Sequence, residues 1–247
     1  MICKKCNLFT KGNHLEFKSQ ILFTENQMFS LKKVVILILV LSASNFVHAA
    51  KSKIGILIYD GVLSSDVTAP VEVFGAASRK AWFSDYEVVL ISPKKQDYIT
   101  SEEGLKIIVD HSIYDALELD VLLVPSTYDM SPLLENKDLI AFIKTQGKQA
   151  KWLASNCSGA FLLAEAGILN GLKATTWAGG EGDLKADYPL VNVQFNQNVV
   201  VDKNVITSNG SIISYQAALT LLAKMSSTSF ANEIAESIQW SRFKNAF

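Results

Sequence analysis

The chain has 247 residues, 49% of them hydrophobic, and its 23 basic residues nearly balance 24 acidic ones. Residues 1–49 contribute six lysines and two glutamates, which leaves 17 basic and 22 acidic residues beyond them, a net −5, and this excludes the basic footprint that nucleic-acid binding needs. The roughly 200 residues after that point can bury a sizeable core as one domain.

In chain order, residues 1–27 show no clear periodicity and are read as a leader outside the folded protein, with translation expected to start at Met28. Residues 28–49 have the layout of a secretory signal: Lys32 and Lys33 form a basic start, Val34 to Leu41 an apolar core, and Val47, His48 and Ala49 a small-residue cleavage site. Cleavage near Ala49 or Ala50 would give an exported protein, periplasmic in a Gram-negative source. The apolar core is short for a membrane span, so stable insertion after cleavage is not expected, and an uncleaved anchor is the alternative. Cys3 and Cys6 have the spacing of half a metal or redox site, but no second pair or histidine cluster completes it. No metal is expected. Residues 50–247 then form a single domain with Cys157 as its one thiol, and an unpaired thiol in an exported protein calls for a reason, such as chemistry.

The domain alternates strand-like and helix-like segments. Ile54 to Tyr59 reads as a strand, followed by a loop at Gly61 and a helix opening near Pro70, a good first-turn residue. Tyr86 to Ser92 is a second strand, and Ile99 to Val109 a hairpin turning at Glu102, Glu103 and Gly104. Val121 to Val124 is an apolar run of the kind buried on both faces, with a helix around Leu139 to Gln146 after it. A strand at Trp152 leads to Cys157 and the helix-like Phe161 to Ala166. Short strands are expected at Val193–Phe195, Val199–Val201 and Val205–Thr207, with turns at Asp202–Asn204 and Asn209–Gly210. Gly179 to Gly182 lacks the lysine of a phosphate loop and reads as a helix start. Helices are expected over Ile212–Ser226 and Ala231–Phe243. The pattern predicts an α/β fold with a mostly parallel sheet covered on both faces, and Tyr59, Pro125 and Cys157 emerging together at the carboxyl ends of the strands.

Cys157 lies in the run Ala154, Ser155, Asn156, Cys157, Ser158, Gly159, Ala160, between a strand and a helix. A sharp strand-to-helix turn projects a nucleophile outward and points the next backbone N–H groups at whatever binds there. The helix dipole favours the thiolate, which predicts a thiol pKa below the ordinary value. The alternative is a buried cysteine acting as a small apolar residue.

Three segments carry a resemblance. Asp66, Val67, Thr68, Ala69, Pro70, Val71, Glu72, Val73, Phe74 is similar to the acidic loop and first helix of the ThiJ/PfpI superfamily. The Cys157 turn is similar to its nucleophile elbow, and Ala166 to Thr176 follows its stretch after the elbow helix. From Lys53 to about Met225 the chain resembles this superfamily, and most of all isonitrile hydratases and the sensor domains of AraC-type regulators. The resemblance implies a three-layer α/β sandwich of the class I glutamine amidotransferase-like, flavodoxin-like type. It makes Cys157 the nucleophile and Asp66 the carboxyl partner that hydrogen-bonds it or handles a proton. Ser158 falls where isonitrile hydratases have an assisting threonine. A small-molecule electrophile as substrate, no cofactor and a homodimer are also implied. Read without the resemblance, Asp66 is a helix cap before Pro70 and Glu72 a first-turn charge. If the fold holds, Asp66→Asn should keep the shape and slow the reaction.

The chain departs from the superfamily pattern twice. Trp177 follows Thr175 and Thr176 where many members have histidine, which tells against a histidine base; Trp177 either lines an apolar pocket or packs the core. His111, the one histidine after residue 50, is expected in a surface loop. Ser126 and Thr127 follow Pro125 where two glycines are common; if the Thr127 N–H still faces the site, it joins the Ser158 N–H as an oxyanion hole. A cysteine-dependent hydratase or hydrolase of a small electrophile is therefore expected. The alternative is a ligand-binding or redox-sensing domain without a DNA-binding part.

Overall fold

The computed structural model describes residues 51–80 and 86–243. The expected leader, the signal segment with its cleavage site, and Cys3 and Cys6 lie outside the described residues.

The elements run in chain order as β1 Ser52–Leu57, α1 Ser64–Lys80, β2 Tyr86–Ser92, β3 Tyr98–Thr100, β4 Lys106–Ile108, β5 His111–Ser112 and β6 Val121–Val124. Next come α2 Ser131–Leu134, α3 Lys137–Gln149, β7 Trp152–Asn156, α4 Gly159–Glu165, β8 Lys173–Ala174 and α5 Glu181–Asp187. The last are β9 Asn192–Val193, β10 Val199–Asp202, β11 Val205–Ser208, α6 Ile213–Met225, α7 Thr228–Ser237 and α8 Trp240–Phe243. One seven-stranded sheet has the order β10-β11-β7-β6-β1-β2-β5, and only the β10–β11 pair in it is antiparallel. β6 is buried along its whole length, as an all-apolar run inside a doubly covered sheet must be.

The order of the strands dictates the layers. Passing from β1 to β2 moves the chain one way across the sheet, and from β6 to β7 the other way, so right-handed crossovers put α1 and α3 on opposite faces. α6 and α7 join α1 on its face, and α2 and α4 join α3. The result is the expected three-layer sandwich with a mostly parallel sheet. The direction of winding reverses between β1 and β6, and a crevice opens beyond the carboxyl ends of strands at such a point.

The structure moves several expected boundaries. α1 begins at Ser64, so Pro70 sits inside the helix instead of opening it. Proline has no N–H to give to the carbonyl four residues back, which is that of Asp66. The Asn156 side-chain amide donates to that carbonyl instead, at 3.3 Å. The expected Ala231–Phe243 helix divides into α7 and α8 at Gln239, whose φ of 63° no helix continues. The expected Val193–Phe195 strand shortens to β9, which pairs with β8 outside the main sheet. His111 lies on the short edge strand β5, not in a loop, with Nδ1 3.8 Å from the Asp115 carboxylate. The Ile99–Val109 hairpin forms as β3 and β4, turning at Gly104 with φ 87°. Among the described residues no helix is long and apolar enough to cross a membrane.

Candidate active site

Four neighbouring strands deliver the site from their carboxyl ends. Asp66 follows β1, Ser126 follows β6, Cys157 follows β7, and Gly210 follows β11. Tyr59 and Pro125 emerge together as expected, with the Tyr59 hydroxyl donating to the Pro125 carbonyl at 2.5 Å.

Cys157 has φ 51°, the left-handed conformation of a sharp strand-to-helix turn that non-glycine residues rarely adopt. Three contacts hold it there. Its N–H donates to the Ser208 carbonyl at 2.9 Å, and the Thr176 hydroxyl donates to its carbonyl at 2.8 Å. On the other side Gly210, at φ 78°, lies so close that a Cβ on it would sit 2.5 Å from the Cys157 Cβ and 3.1 Å from Asp66 Oδ1. Gly159, just after the elbow, lets the turn pass under the end of β6, where a Cβ would collide with the Val124 and Pro125 carbonyl oxygens.

Asp66 is fully buried, and its carboxylate accepts four hydrogen bonds. Oδ2 takes the Ser126 N–H at 3.1 Å and the Ser126 hydroxyl at 2.5 Å; Oδ1 takes the Ser211 N–H at 2.8 Å and the Ser214 hydroxyl at 2.7 Å. Asp66 is therefore no helix cap: it points inward from the first turn of α1 and ties together the β6 loop and the start of α6. It has no direct hydrogen bond to Cys157 among the described residues, because its oxygens are already engaged. Burial pushes the Asp66 carboxyl above its ordinary value, against the pull of those four donors.

The thiol departs from expectation in direction. Burial, and then the Asp66 charge, push the Cys157 pKa up, and the nearby polar groups of Ser126 and Ser158 pull it only part of the way back. The helix dipole does not reverse this, since α4 has only seven residues and its end effect is small beside desolvation. At neutral pH, alkylation of Cys157 by iodoacetamide is accordingly expected to be slower than that of free cysteine and still climbing past about pH 9. A rate that levels off below about pH 8 would show a depressed pKa instead.

The other expected site residues divide. Ser158 is buried beside the elbow, but its hydroxyl donates to the Thr127 carbonyl at 2.9 Å and so fastens the elbow to the β6 loop. The Thr127 N–H makes no hydrogen bond among the described residues, although the loop is held by pairing with Val62 and by the Leu63 N–H on the Ser126 carbonyl. Trp177 is half-buried, stacks on Phe161 at 5.3 Å between ring centroids and lies over Gly180. Its visible contacts are packing contacts. Glu72 is exposed on α1, where it accepts from the Tyr215 hydroxyl at 2.6 Å.

Sequence reading passed over Ser126, Ser211 and Ser214 as partners of Asp66. Ser126 carried the visible signal: a hydroxyl residue directly after Pro125, at the end of a wholly buried strand, where glycine is usual in the resembling superfamily. Asn156 and Ser208 complete a buried scaffold, with the Ser208 hydroxyl donating to Asn156 Oδ1 at 2.7 Å.

Residues 52–224 match the model of the DJ-1/PfpI family. An isonitrile hydratase of Pseudomonas putida is 32% identical over 174 residues, which is 70% of this chain and 72% of that protein. Among solved structures, a ThiJ/PfpI family protein from Pseudomonas syringae superposes with a TM-score of 0.68 at 23% identity, covering 81% of this chain and 79% of its own. An AraC family transcriptional regulator from Pseudomonas putida superposes with a TM-score of 0.65 at 17% identity, covering 75% of this chain and 98% of the regulator structure.

Proposed function

From the premise that the chain belongs to the DJ-1/PfpI family, we propose that it is a cysteine-dependent hydratase of a small electrophile, with isonitriles as the leading substrate class. The observation that carries this reading is Cys157 on a strained elbow, with the buried Asp66 carboxyl group beside it across Gly210. In the proposed reaction the Cys157 thiolate adds to the terminal isonitrile carbon, and a proton held by Asp66 discharges the negative charge that develops there. Water then adds to the resulting thioimidate. Collapse of the tetrahedral adduct expels the Cys157 thiolate and leaves an N-substituted formamide, which contains the atoms of the isonitrile and one water. The N–H groups of Thr127 and Ser158 hold negative charge on the adduct as it forms and collapses. Ser158 serves through its backbone, since its hydroxyl hydrogen goes to Thr127.

A panel of isonitriles, imines and α-oxoaldehydes assayed with the domain from residue 50 onward tests the reading, and turnover of an isonitrile that depends on Cys157 is the expected result. A second reading, a non-catalytic ligand-binding domain, is favoured by the raised pKa of the thiol. Tight binding without turnover across the panel would establish it. Export through residues 28–49 belongs to the same proposal. Intact mass of the mature protein is expected to show an N-terminus near Ala49 or Ala50, and a product that keeps Met28 would refute it.

A further inference from the structure

We propose that the cleft between α3 and the loop joining β5 to β6 binds a linear alkanediamine in its dicationic form. One ammonium group meets the side-chain carbonyl of Gln146, and the other lies among Asp138, Asp115 and the rings of Tyr114 and Phe142. None of the residues that line this cleft is among those placed around Cys157, so the inference stands apart from the hydratase reading.

Gln146 lies on α3 and is 3% exposed. Its Nε2 donates to the Leu117 carbonyl on the opposite wall at 3.3 Å, which makes the side chain part of the cleft floor. Its Oε1 is buried and has no hydrogen-bond partner among the described residues. Turning the amide over brings no relief, because Oε1 would then face the Leu117 carbonyl, acceptor against acceptor. A buried amide oxygen without a donor costs stability, and a donor placed in the cleft recovers it. The cleft has a volume of about 790 Å³, enough for a small organic molecule. Oε1 is covered by its neighbours, so a donor reaches it as exposed lining side chains such as Glu118 and Gln149 turn aside.

The charges of the lining select the kind of donor. Asp115, Glu118 and Asp138 stand against one lysine, Lys53, which leaves a net charge of −2. A dication matches that charge, and an anion is repelled. Lys53 and Glu118 lie toward the Gln146 end. The Lys53 N–H donates to Asp120 Oδ2 at 2.8 Å, and the Asp120 carbonyl accepts from the Trp152 N–H at 3.0 Å, close to where α3 stops. The opposite end holds two carboxylates and two aromatic rings but no basic residue of the lining. There the Tyr114 hydroxyl donates to Asp138 Oδ2 at 3.0 Å, which fixes that carboxylate and leaves Oδ1 for a second donor. The exposed Tyr114 ring and the half-buried Phe142 ring offer faces to a cation.

The spacing asks for a chain with a charge at each end. Asp138, Phe142 and Gln146 stand on successive turns of one face of α3, and all three line the cleft. The outer two are separated by about 12 Å along the helix axis, which is too far for one ammonium group to touch both. Between them Phe142, Ala141 and Leu117 give an apolar wall for methylene groups.

Titration of the protein with 1,6-diaminohexane, followed through backbone amide NMR shifts, tests the site. The shifts are expected in 113–118 and 138–149, with a Kd of roughly 1 mM. Hexylamine, which satisfies one end, should bind about 10-fold more weakly, and uncharged 1,6-hexanediol more weakly still. Gln146→Met fills the same space without the carbonyl and should weaken the diamine by about 10-fold while leaving hexylamine unchanged at the Asp138 end. Asp138→Asn should weaken both amines by about 3-fold and leave the diol unaffected. Hexanediol binding as tightly as the diamine, or shifts confined to other segments, would overturn the proposal. So would wild-type affinity for the diamine in Gln146→Met. If that variant does not fold, Asp138→Asn at its exposed position decides, and unchanged affinity for the diamine there would overturn the proposal as well.

Discussion

Cys157→Ala is expected to lower isonitrile turnover by about 10⁴-fold or more, with no change in fold. Cys157 is the single cysteine among the described residues, so nothing else in the site can form the covalent adduct. The elbow itself does not depend on the thiol. It is held through the Cys157 backbone by Ser208 and Thr176, and by the close approach of Gly159 to the end of β6 and of Gly210 to Cys157. Alanine keeps the Cβ against which Gly210 packs, so circular dichroism and melting temperature should match the wild type. Alanine also relieves nothing at φ 51°, because its Cβ meets the same backbone strain. A variant that keeps more than about one-tenth of the wild-type rate would show that bound water is activated without covalent catalysis, and the cysteine mechanism would have to be dropped.

Asp66→Asn is expected to destabilise the domain by about 3 kcal/mol, contrary to the view of it as a shape-preserving change. The reason is the symmetry of the cradle. Each carboxylate oxygen faces a fixed backbone N–H, that of Ser126 on Oδ2 and that of Ser211 on Oδ1. Whichever oxygen becomes an amide nitrogen, it meets a donor that cannot turn away, and that N–H is left buried without an acceptor. The serine hydroxyls can rotate to accept from the amide, which is why the cost is confined to roughly one buried donor and the lost charge-assisted bonds. For a domain of this size the melting temperature should fall by roughly 10 °C. Urea unfolding checks the figure, and a variant as stable as the wild type would mean that the carboxyl is protonated and already presents a donor in this cradle. Lost activity in Asp66→Asn must therefore be read beside its stability before any proton-transfer role is assigned from it.

The sequence alone determined the alternation of elements and the place of Cys157 on a strand-to-helix turn. Val121–Val124 read as a strand of the kind buried on both faces, and β6 has those bounds and is buried throughout. The run of small residues around Cys157 admitted a tight turn, and Gly159 is a position where any side chain would strike the β6 carbonyls. These are local signals: periodicity, residue size and permitted φ act over a few neighbours and are written in the order of the chain. What surrounds Asp66 is not local. Ser126, Ser211 and Ser214 stand 60, 145 and 148 residues from it and meet it only because β1, β6 and the start of α6 share one end of the sheet. The burial that lifts the thiol pKa likewise comes from packing of distant segments, and it outweighed the seven-residue helix that sequence reasoning took as decisive. Pro70 shows the two levels in one place. By itself it signals a helix start, yet Asn156, 90 residues away from Asp66, supplies the hydrogen bond that the proline withholds and lets α1 run through it.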